Sequence, residues 1–426
     1  MKSNPVNLRE MLERVLSYNP DVTKPMFTSM EYCVRCGMPS SEEEHALDEI
    51  GICITCQSQE QKMHMNWRER EKMLEGILTQ YKGKGDYDCI IAISGGKDSA
   101  WQMHVIKNIY GLKPLAVTFN QNWHSKVGRR NLEWCLETFD VDHVMFTPSR
   151  SLVNRCARRS LEAIGDACWH CHMGVGAFPW QTAVRYKIPL MIFGESVAEN
   201  SCKGSYESLL DFNEDYFVKV SAKVPTDEFA CDYIPLRDLA PFKLPSYKEI
   251  KDTGVIALHL GNYMFWDGEK QTEILRDRYG WQEDDVEGTY KRYKSVECIM
   301  PGVHDYTKFL KRGYGRGTDF SAQDRRAGLM TRDEQNEIVR EHDAKEPDVL
   351  DYYLEITGYS KAEFYSIMDD QREKVGRLSK EEIVAALQDY KKRHSSDDMA
   401  KRNIRPERVE TVEALNHSAK SATRSK

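Results

Sequence analysis

No stretch of this 426-residue chain approaches the roughly 18 consecutive apolar residues that a membrane-spanning helix needs. Met1 to Pro20 carries charges but lacks the apolar centre of a secretory signal. Membrane insertion is therefore not expected, and the expected address is the cytoplasm. The chain also lacks a surplus of positive charge, with 60 Lys and Arg against 67 Asp and Glu. A net charge of −7 argues against a broad nucleic-acid surface. Internal repeats, a nucleophile-elbow serine and the Walker spacing G-x-x-x-x-G-K-S/T are all missing, which excludes solenoids, serine hydrolases of the elbow type and the common phosphate loop. What is present in excess is cysteine. Twelve thiols in a chain expected in a reducing compartment point away from disulfides.

The length suits two or three folded units. Residues 1–30 read as a polar lead with one helical stretch, Leu8 to Leu16, and residues 31–82 as a cysteine-bracketed module followed by a helix over Met65 to Tyr81. From residue 83 to 265 short apolar runs alternate with amphipathic stretches. Strands are expected at Cys89–Ile93, Leu115–Phe119, His143–Phe146 and Pro189–Phe193, with helices over Ser99–Tyr110, Val127–Phe139, Leu152–Ile164 and Val175–Tyr186. Val255–Trp266 reads as a further buried segment. This pattern predicts an α/β fold, a mostly parallel sheet with helices on both faces and ligands beyond the carboxyl ends of its strands. Residues 266–393 read as mostly helical, with a capping box at Ser379 to Glu382, and residues 394–426 as a flexible polar tail.

Between the first strand and its helix stands Ser94-Gly95-Gly96-Lys97-Asp98-Ser99. Paired glycines let the backbone approach a ligand closely, and helix-start amides attract an anion. Lys97 adds charge, and Ser94 and Ser99 add donors. Asp98 is an acid where a phosphate would sit, which calls for magnesium (Mg2+) between them. Cys33-x-x-Cys36 and Cys53-x-x-Cys56, 16 residues apart, have the spacing of a four-thiolate structural zinc (Zn2+) site. His45 inside the loop reads as solvated. Cys168-Trp-His-Cys171 has no downstream partner pair. It fits a second metal or iron–sulfur site completed by Cys202 or Cys231, a redox or catalytic pair, or simply buried thiols. Cys89, Cys135 and Cys156 fall on core patterns. Glu195 closes a strand and could bind magnesium or substrate, or form a loop salt bridge. Arg316, Asp319 and Arg325 fall in a glycine-rich stretch, 313–326, read as a flexible loop that either recognises a carboxylate or phosphate or forms a salt-bridge network.

The hexapeptide at 94–99 resembles the PP-loop of the ATP pyrophosphatases, a superfamily with an adenine nucleotide α-hydrolase-like fold. The resemblance implies ATP binding by Ser94 to Ser99, with Thr118 and Asn120 beside the adenosine and Lys97 and Asp98 at the reacting phosphates. The whole motif order is similar to the N-acetyl sugar amidotransferase family: the CxxC pairs, Trp67-Arg-Glu-Arg, SGGKDS, CWHCHMG, IPLMIFGE and VHDYTKFLKRGYGRGTD. That likeness runs from Tyr32 to Lys374 and implies conversion of a sugar acetamido group to an acetamidino group in bacterial surface-polysaccharide or nonulosonic acid biosynthesis. It further implies a sugar substrate bearing an N-acetyl group and ammonia from separate glutaminase and cyclase-like channel subunits. The alternative is a PP-loop tRNA thiolation enzyme with a zinc module and an iron–sulfur cluster. Against it, the +5 charge of Gln371 to Lys426 leaves −12 on the remainder, the wrong sign for an RNA-binding core. A non-enzymatic docking scaffold is disfavoured by the intact loop.

Overall fold

In the computed structural model, residues 24–41, 45–196, 198, 206 and 222–394 are described. The expected helix at Leu8 to Leu16, Cys202 and the carboxyl tail lie outside them. The first helices are α1 (Ile54–His64) and α2 (Trp67–Tyr81). Then β1 (Cys89–Ala92), α3 (Lys97–Met103), β2 (Pro114–Phe119), α4 (Lys126–Phe139), β3 (His143–Phe146), α5 (Arg150–Ile164), α6 (Trp169–Tyr186) and β4 (Leu190–Phe193) alternate. The short α7 (Thr226–Phe229), α8 (Tyr247–Thr253), β5 (Ile256–His259) and α9 (Gly268–Ile274) follow.

Apolar side chains fill β1 because both its faces are covered. Cys89 and Ile91 pack with Leu74, Leu78 and Phe139, whereas Ile90 packs with Trp169 and Met173 of α6. The sheet is parallel throughout, in the order β3-β2-β1-β4-β5. Ile90 lies opposite Leu115 on one side and Met191 on the other. The order in which strands are added therefore reverses between β1 and β4, the crevice where a ligand belongs in such sheets.

The carboxyl region is built of α10 (Pro301–Arg312), α11 (Arg316–Arg326), α12 (Arg332–His342), α13 (Leu350–Thr357), α14 (Lys361–Val375) and α15 (Lys380–Arg393). Ser379 and Glu382 form the capping box expected at the last helix. Val303, Phe309, Tyr353 and Phe364 share a core with Val153, Ala157 and Leu161 of α5. Cys33, Cys36, Cys53 and Cys56 pack with Tyr314 and Ala322 in a separate small core. No helix among the described residues is long and apolar enough to cross a membrane.

Two expectations need correction. The stretch 313–326 is not a flexible loop, since α11 occupies most of it. Its start is capped from outside: Asp343 accepts from the amides of Gly315 (2.9 Å) and Thr318 (3.3 Å). Likewise α6 begins at Trp169 instead of near Val175. Asp166 accepts from the Cys168 amide at 3.0 Å and Ser160 from the Trp169 amide at 3.1 Å. Asp343 is remote from the helix start that it completes, so a local reading misses it, whereas the cap of α6 comes from the turn just before it.

Candidate functional site

The turn from β1 into α3 folds on its own side chains. The Gly96 amide donates to Ser94 Oγ (3.3 Å), and the Ser99 hydroxyl donates to the Gly96 carbonyl (3.0 Å). Gly95 has φ +88°, and a Cβ there would stand 2.2 Å from the Gly128 carbonyl oxygen. Gly128 in turn admits the backbone of Glu297, which a Cβ would meet at 2.3 Å. These contacts clamp the loop between α4 and the segment before α10. Gly95→Ala should therefore strain the backbone and collide with it, costing about 2–4 kcal/mol. A thermal denaturation midpoint within about 1 °C of the parent would contradict that.

Lys97 is 2% exposed and pairs with Asp98. Burial pulls its pKa down, but Asp98 and Glu195 outweigh that and hold it above the ordinary lysine range. Burial likewise raises the Asp98 carboxyl, and Lys97 and Lys294 more than reverse the effect. The lysine side chain reaches a cavity of about 630 Å3 that Glu195 also lines. Lys291, Lys294, Asp324 and Arg326 line it from the carboxyl region, and Arg35 and Lys62 from the cysteine module and α1. Seven Lys and Arg side chains line it against five Asp and Glu, a balance suited to an anionic ligand.

Residues 287–388 match the family model "LPS biosynthesis protein WbpG-like, C-terminal domain". This region is thus similar to the carboxyl-terminal domain of WbpG-like proteins. Over 92 residues the chain is 33% identical to the uncharacterized protein MJ1599 of Methanocaldococcus jannaschii, a match that takes in 21% of this chain and about a third (33%) of that relative's length. Among solved structures it is similar to the U34-tRNA thiolase NcsA from Methanococcus maripaludis with its 4Fe–4S cluster, at 15% identity and a TM-score of 0.31 over 70% of this chain and 86% of that one. A second is NMN synthetase from Francisella tularensis, at 12% identity and a TM-score of 0.22 over 45% and 93% of the two chains.

The WbpG-like domain supplies groups that sequence reading missed. Lys294 stands between Lys97, Asp98 and Glu195; desolvation, helped by Lys97, lowers its pKa to about 8. Glu297 directs its carboxylate at Gly96, where a Cβ would come within 3.0 Å of its Oε2. Burial raises the Glu297 pKa, and Asp98 adds to the shift. A KxxE pattern in a loop carries no local signal, and only the packing of Glu297 on Gly128 brings it to the turn. His124 was also missed. It follows β2, shares Asn120 Oδ1 at 3.0 Å, and burial holds its pKa down at about 4.

Other expected residues are placed as follows. Thr118 donates to the Ile93 carbonyl (2.8 Å), and Asn120 donates to Thr147 Oγ1 (3.1 Å), both at the end of β2. Arg316, Asp319 and Arg325 do not line the cavity. Arg316 pairs with buried Asp305 (2.6 Å), Asp319 with Lys308 (2.7 Å), and Arg325 donates to Gln335 (2.7 Å). Two of these contacts are ion pairs and the third is a hydrogen bond to a neutral amide.

The four amino-terminal cysteines are wholly buried, with Sγ separations of 3.8 Å (Cys33–Cys56) and 3.6 Å (Cys36–Cys53). Bonds of about 2.3 Å to a tetrahedral ion require sulfur–sulfur edges of about 3.8 Å. The set could thus hold a metal ion with almost no rearrangement. His45 lies within 3.4 Å of Thr55 Oγ1 instead of joining the sulfurs. Cys89, Cys135 and Cys156 are buried in the core, as expected. Cys231 forms a β-bridge with Ile234, packs against the core that contains Trp169, and is not in the donor group of Cys168. Cys298 packs against the same core cluster as Cys168 and Cys171.

Proposed function

We propose that this protein is an ATP-dependent amidotransferase that converts the N-acetyl group of a sugar to an acetamidino group during bacterial surface-glycan synthesis. The observation that carries the proposal is the meeting of the SGGKDS turn and the lysines of a WbpG-like domain across one cavity. The acetamido oxygen attacks the α-phosphorus of ATP, forming an O-adenylyl imidate and releasing pyrophosphate. Ammonia then adds to the activated carbon, and AMP leaves with the former amide oxygen. Such chemistry needs charge stabilisation and alignment but no covalent protein nucleophile. Lys97, the turn amides and Lys294 stabilise the departing pyrophosphate. Asp98, with Glu195 near Lys97, would hold a magnesium ion, which would screen the charge of the leaving group. Zinc in the four-cysteine site holds the amino-terminal module, and a separate glutaminase with a channel subunit supplies the ammonia.

The test is mass spectrometry of N-acetyl sugars incubated with the protein, ATP, magnesium and ammonium. A product about one mass unit lighter, from exchange of oxygen for NH, should appear with one AMP per turnover. Thiolated tRNA in a parallel assay, with no change in any sugar, would replace this reading with the thiolation alternative.

The Lys294 role has its own signature. An amine with a pKa of about 8 is cationic below that pH and neutral above it. kcat/KM for ATP should therefore decline as pH rises through about 8. Lys294→Arg, cationic throughout, should keep its rate to beyond pH 9. An alkaline limb unchanged in the arginine variant would assign that titration to another group.

A further inference from the structure

The residues around Cys168 come from separate parts of the chain. Asp166 and Cys168 precede α6, and His304 is on α10 of the WbpG-like domain. One donor atom from each lies within 4.8 Å of the others, in surroundings that leave Cys168 8% exposed. Cys171 and Cys298 pack into the same cluster, and the His172 ring is 5.6 Å from that of His304. We propose that Asp166, Cys168 and His304 bind a single divalent transition-metal ion of borderline softness, zinc being the type.

The donor set suits such an ion: one carboxylate oxygen, one sulfur and one imidazole nitrogen, the ligand types that zinc accepts together. Bonds of about 2.0–2.3 Å give ligand–ligand edges of about 3.3–3.8 Å, so the thiol needs to close by about 1.5 Å at most and the Asp166–His304 pair to open by about 0.5 Å. His304 Nδ1 and Asp166 Oδ1 are 2.8 Å apart, joined by a proton that a metal would displace. An Asp–His ion pair alone accounts for two of the residues. It leaves unexplained why the Cys168 thiol joins them, with Cys171 from the same CxxC and Cys298 from a distant segment packed nearby. An iron–sulfur cluster needs mostly thiolate ligands, whereas of the three neighbouring thiols only Cys168 places its sulfur within 4.8 Å of the Asp166 and His304 donors. Three protein ligands also leave a fourth position for water or a neighbouring thiolate, unlike the closed four-cysteine site.

The readout is metal content, independent of any reaction. Full-length protein purified anaerobically with zinc should contain two zinc ions per chain by elemental analysis. Cys168→Ser and His304→Gln should each retain one. The four-cysteine site in parallel cobalt-substituted preparations, through its thiolate-to-metal absorption, reports that the fold is intact. Should either variant lose both metals through misfolding, the wild-type stoichiometry still decides. One zinc per wild-type chain, two in the folded variants, or about four irons with acid-labile sulfide would each overturn the proposal.

Discussion

Lys97→Met is expected to lower kcat for ATP-dependent turnover on the order of 10^3-fold, equivalent to about 4 kcal/mol of transition-state stabilisation. The lysine stands at the first turn of α3, nearly sealed from solvent, with Asp98 beside it. Carboxylates on its flanks keep its pKa above the ordinary lysine value, so the cation persists throughout the neutral range. Methionine preserves most of the buried stem and removes only the charge. Loss of a group that acts on departing pyrophosphate should appear in kcat more than in KM. Asp98 retains Lys294 as a neighbouring cation, so the fold should survive. Pyrophosphate release measured beside a thermal melt separates the two effects. A variant within tenfold of the parent would remove Lys97 from the reaction.

Cys36→Ser should have the largest effect on stability. Serine is a poor ligand for a soft site, and structural zinc in small modules contributes apparent binding free energies of about 10–16 kcal/mol. The damage should spread beyond the module. Gln335 of α12 donates to the Cys36 carbonyl at 2.9 Å, and Tyr314 and Ala322 of the carboxyl region pack directly on the cysteines. Arg35, on the same loop, lines the cavity. The variant should lose its metal and melt on the order of 10 °C lower, given a loss of several kcal/mol and about 2–4 °C per kcal/mol. A metal-free variant melting within about 2 °C of the parent would show that the module's own contacts hold it.

Much of this was legible because it is local. Strands β1 to β4 lie where short apolar runs end at turn residues, as covered strands require. The CxxC spacing implied a four-sulfur site, and the 3.6–3.8 Å sulfur separations agree with it. The SGGKDS turn falls at the sheet's switch point because a glycine-rich turn between strand and helix has few other places to go.

What the chain order could not disclose is whatever depends on contacts between distant segments. The glycine-rich 313–326 stretch becomes a helix because Asp343, well outside it, satisfies its first amides. Lys294 and Glu297 carry no motif, and they reach the turn only because Gly128 lets the backbone before α10 pass so close. Cys298 and His304, more than 120 residues from Cys168, join it for the same reason, while Cys231 turns elsewhere. Periodicity and motif spacing are written in neighbouring residues and so determined the elements, the SGGKDS turn and the cysteine module. Packing between those elements decided which charges share the cavity, because burial and electrostatics depend on distance in space and not along the chain.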